Sequence, residues 1–162
     1  MSRLPFADSP KVFLLAADTT GTDPTVRLVM HTALEQAGGL LHLFNAHFSY
    51  SQPAFAANIA EALPFLASFS GPKLLVGDFN ATPDAEPLQN LRDAGWQDQW
   101  QRFYADEPGY TFQSFQPQIR IDYVWADATV EPWVKALERV ADGGVNDQVS
   151  DHFGLLVTLD LS

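Results

Sequence analysis

Carboxylates, amides and imidazoles gather in four short clusters along this sequence: Asn45-Ala46-His47, Gly77-Asp78-Phe79-Asn80, Arg120-Ile121-Asp122-Tyr123 and Ser150-Asp151-His152. Asp78, Asn80, Asp151 and the histidines are the oxygen and nitrogen groups that magnesium-assisted hydrolysis of a phosphoester would use. Each cluster follows, lies within or precedes an apolar run that reads as a β-strand. Strand ends are rigid, so residues far apart in sequence can be held around one point.

The elements that must position them are legible from the hydrophobic pattern. Residues 11–17 form a short apolar run, too short for a helix, and read as a strand. Residues 18–25, rich in Thr, Gly, Asp and Pro, make a loop. Residues 26–33 and 40–46 alternate about Gly38-Gly39 as a hairpin. Ser51 is placed to cap a helix with Pro53 in its first turn. Phe55, Ile59, Leu63 and Leu66 recur at helical spacing on its buried face, and Pro64 is expected to kink or end it early. Residues 73–77 read as a buried strand, 78–87 as a loop, and 88–94 as a short helix closed by Gly95. Strands are expected over 110–114, 119–126, 134–140 and 154–161; a helical turn fits 134–140 almost as well. The alternation gives an α/β class in a single domain spanning residues 1–162, with no internal repeat or linker.

Composition bounds the function. The chain has 162 residues, 46% of them hydrophobic, enough for one sizeable core. Cysteine is absent, which excludes disulfides, zinc-thiolate sites and thiol nucleophiles. A net charge of −11 with only nine Lys and Arg argues against a broad duplex-DNA surface. It does not argue against phosphate chemistry, because a bound metal inverts the local field. No apolar run approaches the ~20 residues of a membrane span, and no secretory pattern opens the chain. A cytoplasmic protein is the expectation.

Taken singly, each cluster also has an ordinary structural explanation. Gly77-Asp78-Phe79-Asn80 is good turn chemistry, although residues two apart in extended backbone would place Asp78 and Asn80 on one side. Asp122, in an otherwise apolar strand, needs a partner, and Arg120 on the same face would serve. His47 fits a surface histidine beside a loop. His31 and His42 read as solvent-facing, with no role. Trp96, Trp100, Phe103 and Tyr104 read as a satellite core cluster rather than a stacking platform, and Asp84, Glu86, Asp93, Asp98, Asp106 and Glu107 as a solvated surface.

The four clusters in this order, with Thr82-Pro83-Asp84, Gly95-Trp96, Asp98 and Tyr110-Thr111-Phe112 between them, resemble the endonuclease/exonuclease/phosphatase superfamily, the DNase I-like fold. The likeness runs from Ser2-Arg3-Leu4-Pro5 to the C-terminus. It implies a β-sandwich of two packed sheets flanked by helices, with the active site at one edge. It also implies a Mg2+- or Mn2+-dependent hydrolase of phosphodiesters or phosphomonoesters, including nucleases. Carried over residue by residue, Asp78 and Asn80 would align nucleophile and phosphate. Asp122 would orient His152, which would contact the phosphate or manage the water's proton. Asp151 would lie near metal, and His47 on the phosphate or leaving group.

The resemblance covers only the C-terminal part of that fold. The first-strand asparagine and the glutamate, usually after glutamine, that serves such enzymes as principal metal ligand have no counterpart, and no Gln-Glu pair occurs. The expectations are therefore an incomplete fold lacking its N-terminal half, doubtful metal binding, and weak or no hydrolysis of an unidentified phosphoester by this chain. The alternative is a non-catalytic remnant serving as an interaction or scaffold module, with a homodimer covering the apolar face of the missing half.

Overall fold

The computed structural model describes residues 4–141 and 150–161; Ser2 and Arg3 of the N-terminal likeness lie outside them. The elements are β1 (Lys11–Leu14), β2 (Leu28–Gln36), β3 (Gly39–His47), α1 (Gln52–Ala67), β4 (Lys73–Asp78), α2 (Pro87–Asp93), β5 (Gln97–Asp98), α3 (Gln99–Phe103), β6 (Asp122–Ala126), β7 (Val134–Val140) and β8 (Gly154–Leu159). Six strands form one sheet in the order β1-β2-β3-β4-β6-β5, and β7-β8 form a separate two-stranded sheet. The architecture is mixed α/β, as expected. Among the described residues the layers are helix, six-stranded sheet and two-stranded sheet.

Strand alternation builds a core on each face of the large sheet. Phe44 and Ala46 of β3, Leu75 of β4, and Tyr123 and Trp125 of β6 face Phe55, Ile59, Ala62 and Leu66 of α1. Their neighbours Leu41, Leu74, Val124 and Ala126 face Val134 and Leu137 of β7, with Leu155, Val157 and Leu159 of β8 against them. The small sheet covers only part of that second face. Beyond it lies an open groove of about 530 Å3, lined by Met30, Leu43, Val76 and Val157 among others.

Several boundaries differ from the sequence reading. α1 continues past Pro64 to Ala67. The proline sits on the exposed side near the helix end, where buried Ala62 and Leu66 hold the last turn and Ser68 N donates to Pro64 O at 3.1 Å. Residues 110–114 do not form a regular strand: Phe112 makes only isolated bridges to Ile119 and His152. β5 and α3 are additional elements, too short to show periodicity. The 134–140 segment is a strand, whose Val134 and Leu137 reach the core.

The largest correction concerns His31 and His42. Both are buried, at 1% and 8% exposure, rather than solvent-facing. His31 Nε2 lies 2.9 Å from His42 Nδ1, and His42 Nε2 lies 3.1 Å from Ser70 O. Since a carbonyl only accepts, His42 donates from Nε2 to Ser70 O. Both rings lie tilted against Phe69. Alternation alone could not tell a polar outer face from an aromatic-lined inner one.

Candidate active site

Sheet register brings three of the six candidate side chains into one row. His47 at the end of β3 is paired with Asp78 at the end of β4. Asp78 in turn is paired with Asp122, the first residue of β6. All three continue the alternation of Leu43, Val76 and Val124 and so rise from the groove face of the sheet. Gly77 permits the approach of β3 to β4: its φ is 136°, and a Cβ there would lie 1.9 Å from Ala46 O.

His152 comes to the row from another part of the chain. Its Nδ1 lies 2.8 Å from Asp122 Oδ2, and its Nε2 lies 4.0 Å from Asp78 Oδ2. An ionised carboxylate only accepts, so Asp122 fixes the neutral ring as the Nδ1–H tautomer with the Nε2 lone pair toward Asp78. His47 Nε2 approaches the same Asp78 oxygen to 3.3 Å. Asp78 thus stands between two imidazoles.

Asn80 reaches the site differently from the expectation. It does not extend the strand but adopts φ 50°, a left-handed conformation that Asn tolerates. Its backbone N–H then returns to Asp78 Oδ1 at 2.8 Å, and its side-chain amide donates to Phe48 O at 3.0 Å. The turn and the site are the same structure. Asp151 is exposed. Its backbone carbonyl accepts from Ser114 N at 2.8 Å, while its charge acts on His152.

Arg120 does not serve Asp122. It makes a bidentate pair with Asp98, at 3.0 and 2.7 Å, and both residues are buried. Asp98 also accepts from Trp100 N at 3.0 Å, capping α3. It is therefore a buried anchor and not part of a solvated acidic surface. The cation satisfies the carboxylate where β6 begins, and so fixes the chain immediately before Asp122.

A further residue carries the geometry and had no role in the sequence reading. Thr111 is fully buried, and its Oγ1 accepts from Ile121 N at 3.2 Å and Asp122 N at 3.3 Å. Its carbonyl accepts from Phe153 N at 2.8 Å, next to His152. One threonine therefore ties both members of the Asp122–His152 pair into register. Only its presence in Tyr110-Thr111-Phe112, far from any catalytic letter, marked it in sequence.

Burial raises the Asp122 pKa above its usual value, against the opposing hydrogen bonds of Thr111 and His152. For His152 burial acts downward, but the Asp122 hydrogen bond and the charges of Asp122, Asp78 and Asp151 prevail and raise it. The site thus favours an imidazolium that can meet an anion.

Among the described residues, Asp78, Asp122 and His152 offer donor atoms within 4.8 Å of one another. Magnesium demands near-octahedral oxygen ligation. Here Asp122 is engaged with His152, and the donors beside Asp78 are imidazole nitrogens. These residues do not fit a magnesium cage.

A sequence model described as the Endonuclease/Exonuclease/phosphatase family matches residues 2–152. No curated protein matches. Solved structures are similar in fold. An endonuclease/exonuclease/phosphatase from Bacteroides vulgatus superposes with TM-score 0.74 at 20% identity, covering 98% of this chain and 66% of that one. The 3′ phosphatase NExo from Neisseria, bound to a product DNA hairpin, gives 0.73 at 19%, covering 98% and 73%. A mannosyl-6-phosphatase from Bacteroides thetaiotaomicron gives 0.74 at 17%, covering 97% and 67%. The chain therefore spans about two thirds of the length of these structures.

Proposed function

Because this chain belongs to the Endonuclease/Exonuclease/phosphatase family, we propose that the His47–Asp78–Asp122–His152 row is a phosphoester-hydrolysing site, with weak or no turnover in this chain alone. The observation that carries the reading is the hydrogen bond from His152 Nδ1 to Asp122, which aims Nε2 at Asp78. In the proposed reaction a phosphate oxygen binds at His152 Nε2–H, where the imidazolium stabilises charge developing on the phosphoryl group. His47, the most exposed member of the row, meets the phosphate or the leaving group. Asp78, held by the Asn80 backbone N–H, orients the attacking water opposite the departing oxygen, and Asn80 keeps that loop against Phe48. Asp151 adds negative potential at the mouth.

Mg2+ or Mn2+ is the cation that the family resemblance implies. Of the two, Mn2+ suits the mixed nitrogen and oxygen donors better, but it is the weakest binder in the first-row order. The expected low turnover follows from that mismatch. The substrate is a phosphoester; the DNA hairpin and the mannosyl phosphate belong to the similar proteins named above. The net charge of −11 favours a small molecule or lipid head group over duplex DNA. No helix among the described residues is long and apolar enough to cross a membrane, and cytoplasmic placement is part of the proposal.

Hydrolysis of bis-p-nitrophenyl phosphate with Mg2+ or Mn2+ tests the reading. Trace activity lost in His152→Ala is expected. Robust Mg2+-dependent turnover would contradict the proposed weakness, and activity untouched by His152→Ala would contradict the site.

The open groove on the sheet favours a second reading, a non-catalytic interaction module. Val12, Leu14 and Met30 are exposed beside it, an apolar patch of the kind that marks association. In this reading a second copy covers the face. Sedimentation showing a monodisperse monomer at micromolar concentration would remove it.

A further inference from the structure

We infer that Ser49 and the buried Asp23–Arg27 pair are positioning residues for His47, holding the turn after β3 so that the imidazole stays beside Asp78. The catalytic consequence rests on the proposed function. The His47 side chain is 57% exposed, and its Nε2 meets Asp78 Oδ2 at 3.3 Å. So open a ring is not walled in by packing, and the direction of its Cα–Cβ bond decides where its rotamers point. The backbone on either side of residue 47 fixes that direction. Before it, β3 is clamped between β2 and β4, with His47 in register with Leu28 and Asp78. After it, the chain leaves the sheet and must be held by other groups.

Those groups come from three directions. Phe48 N donates to Asp78 O at 3.0 Å, and Asn80 Nδ2 donates to Phe48 O at 3.0 Å. Ser49 N donates at 3.3 Å to Oδ1 of Asn58 in α1. Ser49 Oγ donates to Asp23 Oδ2 at 2.7 Å and accepts from Ser51 N at 3.1 Å. Tyr50 OH donates to Thr22 O at 2.7 Å, and the Arg27 guanidinium carbon lies 5.8 Å from the centre of the Tyr50 ring. The Ser49 hydroxyl is thus the junction between residues 22–27 and the start of α1.

The anchor is an expensive one. Asp23 and Arg27 are 1% and 5% exposed, and Arg27 Nε donates to Asp23 Oδ2 at 2.8 Å. A buried ion pair gains little over apolar residues of similar volume, so stability alone does not account for one at this turn. What the pair adds is direction. Asp23 Oδ2 accepts from both Arg27 and Ser49, and Oδ1 accepts from Thr25 N at 3.0 Å. The carboxylate therefore cannot rotate without breaking bonds at both oxygens. Burial acts upward on the Asp23 pKa, but the hydrogen bonds from Arg27, Ser49 and Thr25 prevail and hold it below the usual range. An ionised acceptor makes the bond from the Ser49 hydroxyl a strong, charge-assisted one.

The test follows the histidine rings of the full chain by proton–nitrogen NMR, without substrate. In the parent, Asp78→Asn should move the His47 ring nitrogen signals, because the ring loses its carboxylate neighbour. In a Ser49→Ala background the same substitution should move them far less, because His47 has already left Asp78. The His152 signals of Ser49→Ala should match the parent's. Ser114→Ala deletes a hydroxyl hydrogen bond of equal length, 2.7 Å to Ser150 O, and as the control should leave the His47 response intact. A role in stability alone would loosen both histidines together. Circular dichroism confirms that each variant folds, and Ser49→Cys, whose thiol is a weak donor, replaces Ser49→Ala if that protein does not. A His47 response undiminished in the Ser49 variant, or lost equally in Ser114→Ala, overturns the inference. Hydrolysis of bis-p-nitrophenyl phosphate untouched by His152→Ala would count against the proposed function alone, since the ring signals are read without turnover.

Discussion

Replacing Asp98 with alanine should be among the most damaging single changes available outside the candidate site. Asp98 and Arg120 are 3% and 4% exposed and share two hydrogen bonds of 2.7 and 3.0 Å. Removing one member of such a pair leaves the other charge buried without compensation, at a cost of about 3–5 kcal/mol. The α3 cap is lost as well, adding about 1 kcal/mol. For a chain of this size each kcal/mol lowers Tm by roughly 2–4 °C, so a loss near 4 kcal/mol corresponds to roughly 8–16 °C. Urea unfolding followed by tryptophan fluorescence reads the change directly, since Trp96, Trp100 and Trp125 are all buried. Asp106→Ala, on the exposed surface, is the control and should fall within about 0.5 kcal/mol of the parent. The double variant Asp98→Leu/Arg120→Met removes both charges and should recover much of the loss seen in Arg120→Met alone. An Asp98→Ala protein no less stable than the Asp106→Ala control would refute the buried-anchor reasoning.

Three further outcomes follow from the same geometry. Gly77→Ala forces a Cβ against Ala46 O at a φ of 136° and should cost about 4 kcal/mol or more, measured by chemical denaturation. Thr111→Val removes the acceptor of two backbone N–H groups and should cost roughly 1–3 kcal/mol, read in the same assay. Burial, followed by the neighbouring His42 charge, lowers the His31 pKa below 6.5, with Asp8 opposing and Lys11 assisting. The unfolded chain then takes up a proton that the folded chain refuses. Stability is full above pH 6.5 and falls as pH drops through that value, by at most about 1.4 kcal/mol per pH unit. His31→Phe should flatten that slope in unfolding measured at a series of pH values.

The hairpin, the β4 strand and the two principal helices were readable because each has a strong local period and clear punctuation at Gly38-Gly39, Pro53 and Gly95. His47, Asp78 and Asp122 were readable as strand-end residues, and register then placed them side by side. Pairing between distant segments was not readable. Whether Asp122 meets Arg120 or His152, and whether Asp98 is surface or anchor, depends on which strands are neighbours, and no local pattern encodes that. Thr111 was missed for the same reason: its work is done through backbone groups of residues 10, 11 and 42 positions away, which leave no mark on its own surroundings. His31 and His42 deceived the alternation argument because each satisfies the other inside an aromatic pocket.

The most direct test of the site is the long-range proton–nitrogen NMR spectrum of the histidine rings at a pH where His152 is neutral. The Asp122–His152 arrangement predicts a proton on Nδ1 and a lone pair on Nε2 for His152, with that preference lost in Asp122→Asn. A proton on Nε2, or a tautomer unchanged by Asp122→Asn, would contradict the geometry on which the phosphoester reading stands.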